Sequence, residues 1–359
     1  MNNAIDLPNK PVLSVAHQET LRQQVIDQDN PGIILRDFFA LMDFIGPKGI
    51  QVTGQYHLLP LRCLSDLNAR MTFPLQLGLK RPQQKSYPHI NGLYLLLRGT
   101  GLTRLDARGP KSRLVLDEAV LSFWAELSPT EQYFTLLESW MLRADPGVLG
   151  DREGIFKYDH PIYGWSQFFK QVPDQGLIIA GNKAAEEDLR YFPKLHNLAL
   201  LELFGFVTVQ PNPPKPKVGW QIGRIWRTPL GEAMLELLYQ TLANNVHSFL
   251  VDDTSIIPFG TLQPVIQPHF PAWQRNLVIP GHEFQPGLHI FKVALGTDLW
   301  RHISIPGHLT LNILSGAILD AYEFDHDHLD CFTYTDRFGV SRHIYHPYME
   351  EEAVSTDEV

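Results

Sequence analysis

A chain of 359 residues is too long for one ordinary hydrophobic core, so two or three domains of about 100 to 200 residues are expected. Its composition, 44% apolar and 19% charged with a formal net charge of -9, excludes a wholly disordered protein. Only two cysteines occur, Cys63 and Cys331, which excludes a disulfide framework and a cysteine-based zinc finger.

No run reaches the roughly 18 apolar residues of a membrane span. The opening MNNAIDLPNKP also lacks the charged-then-apolar order of a signal peptide, so the expectation is a cytoplasmic protein with no membrane partner.

The charge is segregated. Residues 1–150 hold 15 Lys and Arg against 14 Asp and Glu, residues 151–280 hold 11 against 12, and residues 281–359 hold 4 against 13. The whole net charge therefore lies in the last 79 residues. Within the neutral part, residues 62–113 hold ten basic side chains (Arg62, Arg70, Lys80, Arg81, Lys85, Arg98, Arg104, Arg108, Lys111, Arg113) against Asp66 and Asp106 alone. A local excess of this kind is the footprint a polyanion partner requires.

In chain order, residues 1–35 read as a polar arm or short helix. Phe38, Phe39, Leu41, Met42 and Ile45 recur at helical spacing before Gly46-Pro47. A second helix is expected over 59–71, and a third begins at Pro88, where proline tolerates the first helical position. Two short strands at 102–106 and 112–116 flank an Arg108-Gly-Pro turn. Three helices followed by a hairpin is the order of a winged helix, which places a first module at 36–127.

A second copy follows at a shift of 105 residues. Pro88 falls on Pro193, Leu93 on Leu198, Leu96 on Leu201 and Thr103 on Thr208, with one residue slipping to align the terminal glycines. Strands at 206–210 and 220–226 then lead into Thr228-Pro-Leu-Gly231, similar to the Thr-x-x-Gly entry of the closing helix in bacterial winged-helix regulators. This second winged-helix-like module is expected at 181–246. Between the copies, residues 128–180 form a connector. It carries a Ser128-x-x-Glu131 capping box and an aromatic-rich stretch expected to fill the groove between modules. Residues 247–286, with six prolines and no periodicity, read as a linker or as an extended segment packed on a neighbour.

The C-terminal stretch 287–359 reads strand, strand, helix, strand, strand, a small α+β domain. Within it, Leu295, Trp300, Arg301, Ile303, Pro306, Leu311, Leu314, Ile318, His328, Leu329 and Phe332 carry a resemblance. Over about residues 288–359 the chain resembles the Ri-plasmid open-reading-frame-three-like family, also met as insertion-element passenger proteins. Family members continue into a second half that is not found here, so the resemblance implies a partial domain. It also implies an association with plasmids and mobile elements, but no established activity.

For chemistry, the run Asp325-His-Asp-His-Leu-Asp330 offers His326, His328 and Asp330 as metal-ligand candidates if they share one face of a strand. The same run also reads as a polar turn before a strand. No Walker A, G-x-G-x-x-G, G-x-S-x-G or H-E-x-x-H pattern occurs, so no catalytic residue and no cofactor beyond a possible divalent metal is assigned. The overall expectation is an α+β multidomain protein: tandem winged-helix-like modules plus a partial α+β domain. It would contact DNA through Arg81, Lys85, Arg98, Arg104, Arg108, Lys111 and Arg113. The alternatives are a protein interaction scaffold and a metal-dependent enzyme of the C-terminal domain.

Overall fold

A computed structural model describes residues 11–107, 111–151, 160–243, 257–281, 286–327 and 329–346. It is a mixed α+β protein with two three-stranded and two two-stranded antiparallel sheets among the described residues. The chain divides into two compact units. Met1–Ile279 with Arg337–Val340 forms one, and Pro280–Asp336 with Ser341–Val359 forms the other.

In the first unit a helix, α1 (Val15–Arg22), is capped by Ser14, whose side chain accepts from the His17 N–H. The following elements are α2 (Ile34–Ile45), β1 (Ile50–Gln51), α3 (Leu61–Arg70), α4 (Pro88–Gly99), β2 (Thr103–Asp106), β3 (Arg113–Leu116) and α5 (Glu118–Ala125). The short strand β1 pairs with β3, so the sheet order is β1-β3-β2. Phe38, Leu41, Met42 and Ile45 of α2 face inward as the helical period requires, and Gly46, at φ 61, ends the helix.

After α6 (Pro129–Glu138) the same order recurs: α7 (Pro161–Gln171), β4 (Leu177–Ile178), α8 (Lys183–Asp188), α9 (Leu195–Leu203), β5 (Val207–Pro211), β6 (Ile222–Arg227) and α10 (Pro229–Leu242). Its sheet order, β4-β6-β5, matches that of the first copy. Both repeats are therefore helix, strand, helix, helix, strand, strand, helix. The Thr228 hydroxyl caps α10, accepting from the Gly231 N–H at 2.9 Å and donating to the Gly205 carbonyl at 2.8 Å.

One sequence expectation changes and one open alternative is decided. The second repeat starts at α7, not at residue 181. Trp165, Phe168 and Phe169 are α7 side chains buried in the unit's core, and Trp165 stacks on Phe206 at 4.7 Å. Of the aromatic stretch, Phe156 and Tyr158 lie outside the described residues. Second, of the two forms open for residues 247–286, the described residues 257–279 take the packed one, held within the first unit.

Buried carboxylates of α6 hold that segment. Glu138 accepts from the N–H groups of Gly260 at 2.7 Å and Leu262 at 2.6 Å, at the entry to the short helix α11 (Gln263–Ile266). Glu131 accepts from the N–H of Ser128, completing the capping box, and from the N–H of Arg275 at 2.7 Å. Between them Phe134 meets Phe270 edge-on at 4.8 Å and stacks on Trp273 at 4.7 Å. The two carboxylates shift in opposite directions. Burial pushes Glu138 up to about 7 despite its N–H donors. At Glu131 burial acts the same way, but the bonds from Ser128 and Arg275 outweigh it and the carboxyl lies below its ordinary value.

The second unit pairs β7 (Leu288–Leu295) with β8 (Leu299–Pro306), follows with α12 (Leu311–Tyr322), and pairs β9 (Cys331–Thr335) with β10 (Ser341–Tyr345). This is the expected strand, strand, helix, strand, strand order. Its core is small: Ile303, Ile305 and Leu314, flanked by Val293, Ile318 and Phe332.

Candidate nucleic-acid interface

The two repeats meet through their third helices, α4 and α9. A Cβ at Gly92 would lie 2.9 Å from Leu200 Cγ and 3.1 Å from the His196 carbonyl oxygen, so glycine permits the close crossing. His89 of α4 bonds Glu202 of α9 through Nε2 at 2.7 Å, and its ring meets Trp220 edge-on at 4.9 Å. Every residue of α4 is buried, as are His196 to Leu201 and Leu203 of α9. Neither helix presents the free face that insertion into a DNA groove requires.

Exposed basic side chains lie on the loops beside this crossing. The loop before α4 runs along the turn between β5 and β6. The Gly78 N–H donates to the Val218 carbonyl at 3.0 Å, and the Lys217 N–H donates to the Gly78 carbonyl at 2.8 Å. A Cβ on Gly78 would sit 1.8 Å from the Lys215 carbonyl oxygen, so no other residue allows this approach without moving backbone. The pairing sets Lys80 and Arg81 of one repeat beside Lys215 and Lys217 of the other. All four are exposed, and among the described residues none enters an ion pair.

A pocket of about 340 Å³ opens nearby at the starts of the two third helices. It is lined by Lys85, Asn91, Asp151, Arg190, Lys194, Leu195 and His196. Lys85 lies on the single turn Gln84–Ser86 before α4, and Lys194 is the residue before α9, at φ 76. Asn91 is fixed by Gln84, whose Nε2 donates to Asn91 Oδ1 at 3.0 Å while its Oε1 accepts from the Leu59 N–H at 2.9 Å. His196 is buried, and among the described residues its Nε2 has no hydrogen-bond partner. Burial pulls its imidazole down to about 4, against the opposing pull of the Asp151 carboxylate, so it is neutral at pH 7.

The basic residues anticipated from sequence separate into groups. Arg81 belongs to the composite loop surface, and Lys85 to the pocket. Arg98 is corrected: at 1% exposure on α4 it points into protein, with Nη1 donating to the Tyr94 hydroxyl at 3.2 Å, and it is not offered to a polyanion. Arg104, Lys111 and Arg113 are exposed on the β2–β3 hairpin. Arg113 Nη2 also donates to the carbonyls of Lys48 and Gly49, at 2.7 Å each, where β1 joins the sheet. Arg108 lies outside the described residues.

Sequence reasoning missed Arg190 and Lys194 because they follow Glu186, Glu187 and Asp188, which cancel them in any local charge count. Lys215 and Lys217 lie in the proline-rich run Pro211-Asn-Pro-Pro-Lys-Pro-Lys217, and nothing linear joins them to Lys80 and Arg81.

The metal candidates are not brought together on one strand. β9 begins only at Cys331, so His326 and Asp330 precede it. His326 Nε2 bonds Asp320 Oδ1 of α12 at 2.8 Å, and His328 lies outside the described residues. A cleft of about 420 Å³ is lined in part by Asp320, His326, Asp330 and His346. Among the described residues no group of three or more His, Cys, Asp or Glu is arranged to hold a metal ion. No helix among them is long and apolar enough to cross a membrane.

No family model matches the chain, and neither does any curated protein or any solved structure.

Proposed function

We propose that this chain is a DNA-binding regulatory protein in which two winged-helix modules, joined through their third helices, contact phosphates with a surface that neither module owns alone. One observation carries the reading: the backbone pairing of Gly78 with Lys217 and Val218 gathers Lys80, Arg81, Lys215 and Lys217 on exposed loops. Lys and Arg on loops supply salt-dependent affinity with little base readout, since the helices that would read bases are engaged with each other. The resemblance of the C-terminal residues to plasmid and insertion-element proteins suggests the setting, a mobile genetic element. The test is fluorescence anisotropy with duplex DNA at rising salt. Replacing all four residues with Ala is expected to weaken binding and to lower the salt slope by roughly one for each phosphate that is no longer neutralised; unchanged binding overturns the proposal.

A second reading is favoured by the same burial of α4 and α9. Modules that spend their third helices on each other are also built as rigid adaptors, and a protein interaction scaffold would show no DNA affinity even at low salt. A stable protein complex in pull-down, with no DNA binding in anisotropy, would select it.

A further inference from the structure

The pocket at the starts of α4 and α9 is separate from the loop cations, and its lining suits one class of small molecule. Three cationic side chains reach it from three different segments: Lys85 from the turn before α4, Arg190 from the turn after α8, and Lys194 from the start of α9. Among the described residues of the lining these three cations stand beside one carboxylate, Asp151. Neutral hydrogen-bonding groups stand beside the cations: Asn91, held in place by Gln84, and His196, buried with Nε2 unpartnered. A buried polar atom without a partner is costly, and such atoms in a pocket wall mark places where a ligand can supply the missing bond. The N-terminus of α9, the positive end of its dipole, opens at Leu195 on the same wall. At about 340 Å³ the cavity lies at the lower end of the ~300–1,000 Å³ range of small-molecule sites.

We infer that this pocket binds a phosphate monoester, with Lys85, Arg190 and Lys194 around the phosphate and Asn91 and His196 contacting the attached group. Because residues of both repeats form the wall, occupancy ties the first repeat to the second at the α4–α9 crossing. It therefore acts as an effector site on the junction that also positions the composite loop surface. The inference does not depend on DNA binding: Lys80, Arg81, Lys215 and Lys217 are not among the lining residues.

The phosphate could come from a free nucleotide or from the 5′ end of a strand, and the experiment separates them. Full-length protein is titrated in calorimetry and thermal-shift assays with inorganic phosphate, with adenosine monophosphate, and with a short oligonucleotide bearing or lacking a 5′ phosphate. Wild type and Arg190→Ala are compared, together with the Lys80, Arg81, Lys215 and Lys217 alanine variant. Arg190 lies on a partly exposed turn, so its removal leaves the fold intact, which the melting temperature without ligand verifies.

The inference expects a phosphate-dependent rise in melting temperature, absent in Arg190→Ala and kept in the loop variant. Response to adenosine monophosphate identifies a free nucleotide as the source. Response only to the 5′-phosphorylated oligonucleotide identifies a strand end. No response to any phosphate compound, or a response unchanged in Arg190→Ala, overturns the inference. A DNA affinity abolished in the loop variant while the pocket response persists leaves both proposals standing. Absence of the pocket response alone removes only this one.

Discussion

Two proline-rich stretches of this chain look alike on paper and behave differently in the fold. Residues 212–221 join β5 to β6, and residues 257–279 follow α10. Both lack periodicity and both read as connections, yet each is fastened to another part of the first unit. The first is fastened by main-chain bonds to Gly78, which satisfy the backbone and leave Lys215 and Lys217 free to face solvent. The second is fastened by the buried carboxylates Glu131 and Glu138 and by aromatic stacking on Phe134, which consume its polar and apolar groups in the interior. What distinguishes the loop from the strap is therefore what remains exposed after fastening, and composition does not report that.

The strap gives the largest expected effect. Glu138→Ala strips the acceptor from two buried N–H groups and opens a cavity, and should destabilise the protein by roughly 2–5 kcal/mol in urea unfolding. A cost below about 0.5 kcal/mol, the size of an ordinary surface change, would mean the strap is not fastened there.

The same residue gives a pH dependence. Burial raises Glu138 to about 7, so the folded chain holds that proton more tightly than the unfolded chain does. Its contribution to stability is then complete below the ordinary carboxylate value and is lost as pH rises through about 7. His160 and His196, each pulled down to about 4 by burial, act oppositely: their stability is complete above the ordinary imidazole value and is lost as pH falls through about 4. Comparing wild type with Glu138→Gln isolates the carboxylate. The stability difference between the two should change by up to roughly 3 kcal/mol from pH 4.5 to 8, wild type losing ground as pH rises. A constant difference contradicts the assignment.

The loop should respond more mildly in stability and more strongly in binding. Gly78→Val forces side-chain atoms into the Lys215 carbonyl and should cost roughly 1–3 kcal/mol by overpacking. It should also weaken DNA binding although no charge is removed, because Lys80 and Arg81 are pushed from Lys215 and Lys217. Normal DNA affinity in this variant would separate the two pairs functionally. Smallest of all, Arg104→Ala with Lys111→Ala should shift stability by no more than about 0.5 kcal/mol. Both side chains are exposed on the β2–β3 hairpin, and neither belongs to the composite surface.

Much of the local structure was legible. The helical period at 38–45, proline at the start of α4, the Ser128 capping box and the Thr228 cap are short-range signals, and each marks an element in the structure. The repeat was legible as well, although its second copy starts about 20 residues earlier than expected. Pairing partners two residues long, β1 and β4, carry too little pattern to be seen. The site was mostly hidden for a physical reason. A charge count along the chain treated Arg98 as a surface cation, whereas the close crossing at Gly92 turns the whole of α4 inward. Conversely, Arg190 and Lys194 vanish among neighbouring carboxylates until folding sets them beside Lys85.

The central proposal is that the DNA-contacting surface is assembled from loops of both repeats and not from the first hairpin. Its most direct test is the salt dependence of duplex DNA binding in two alanine variants, one lacking Lys80, Arg81, Lys215 and Lys217, the other lacking Arg104, Lys111 and Arg113. The account predicts a salt slope reduced by roughly three to four in the first variant and little changed in the second. A slope preserved in the first and abolished in the second would contradict it.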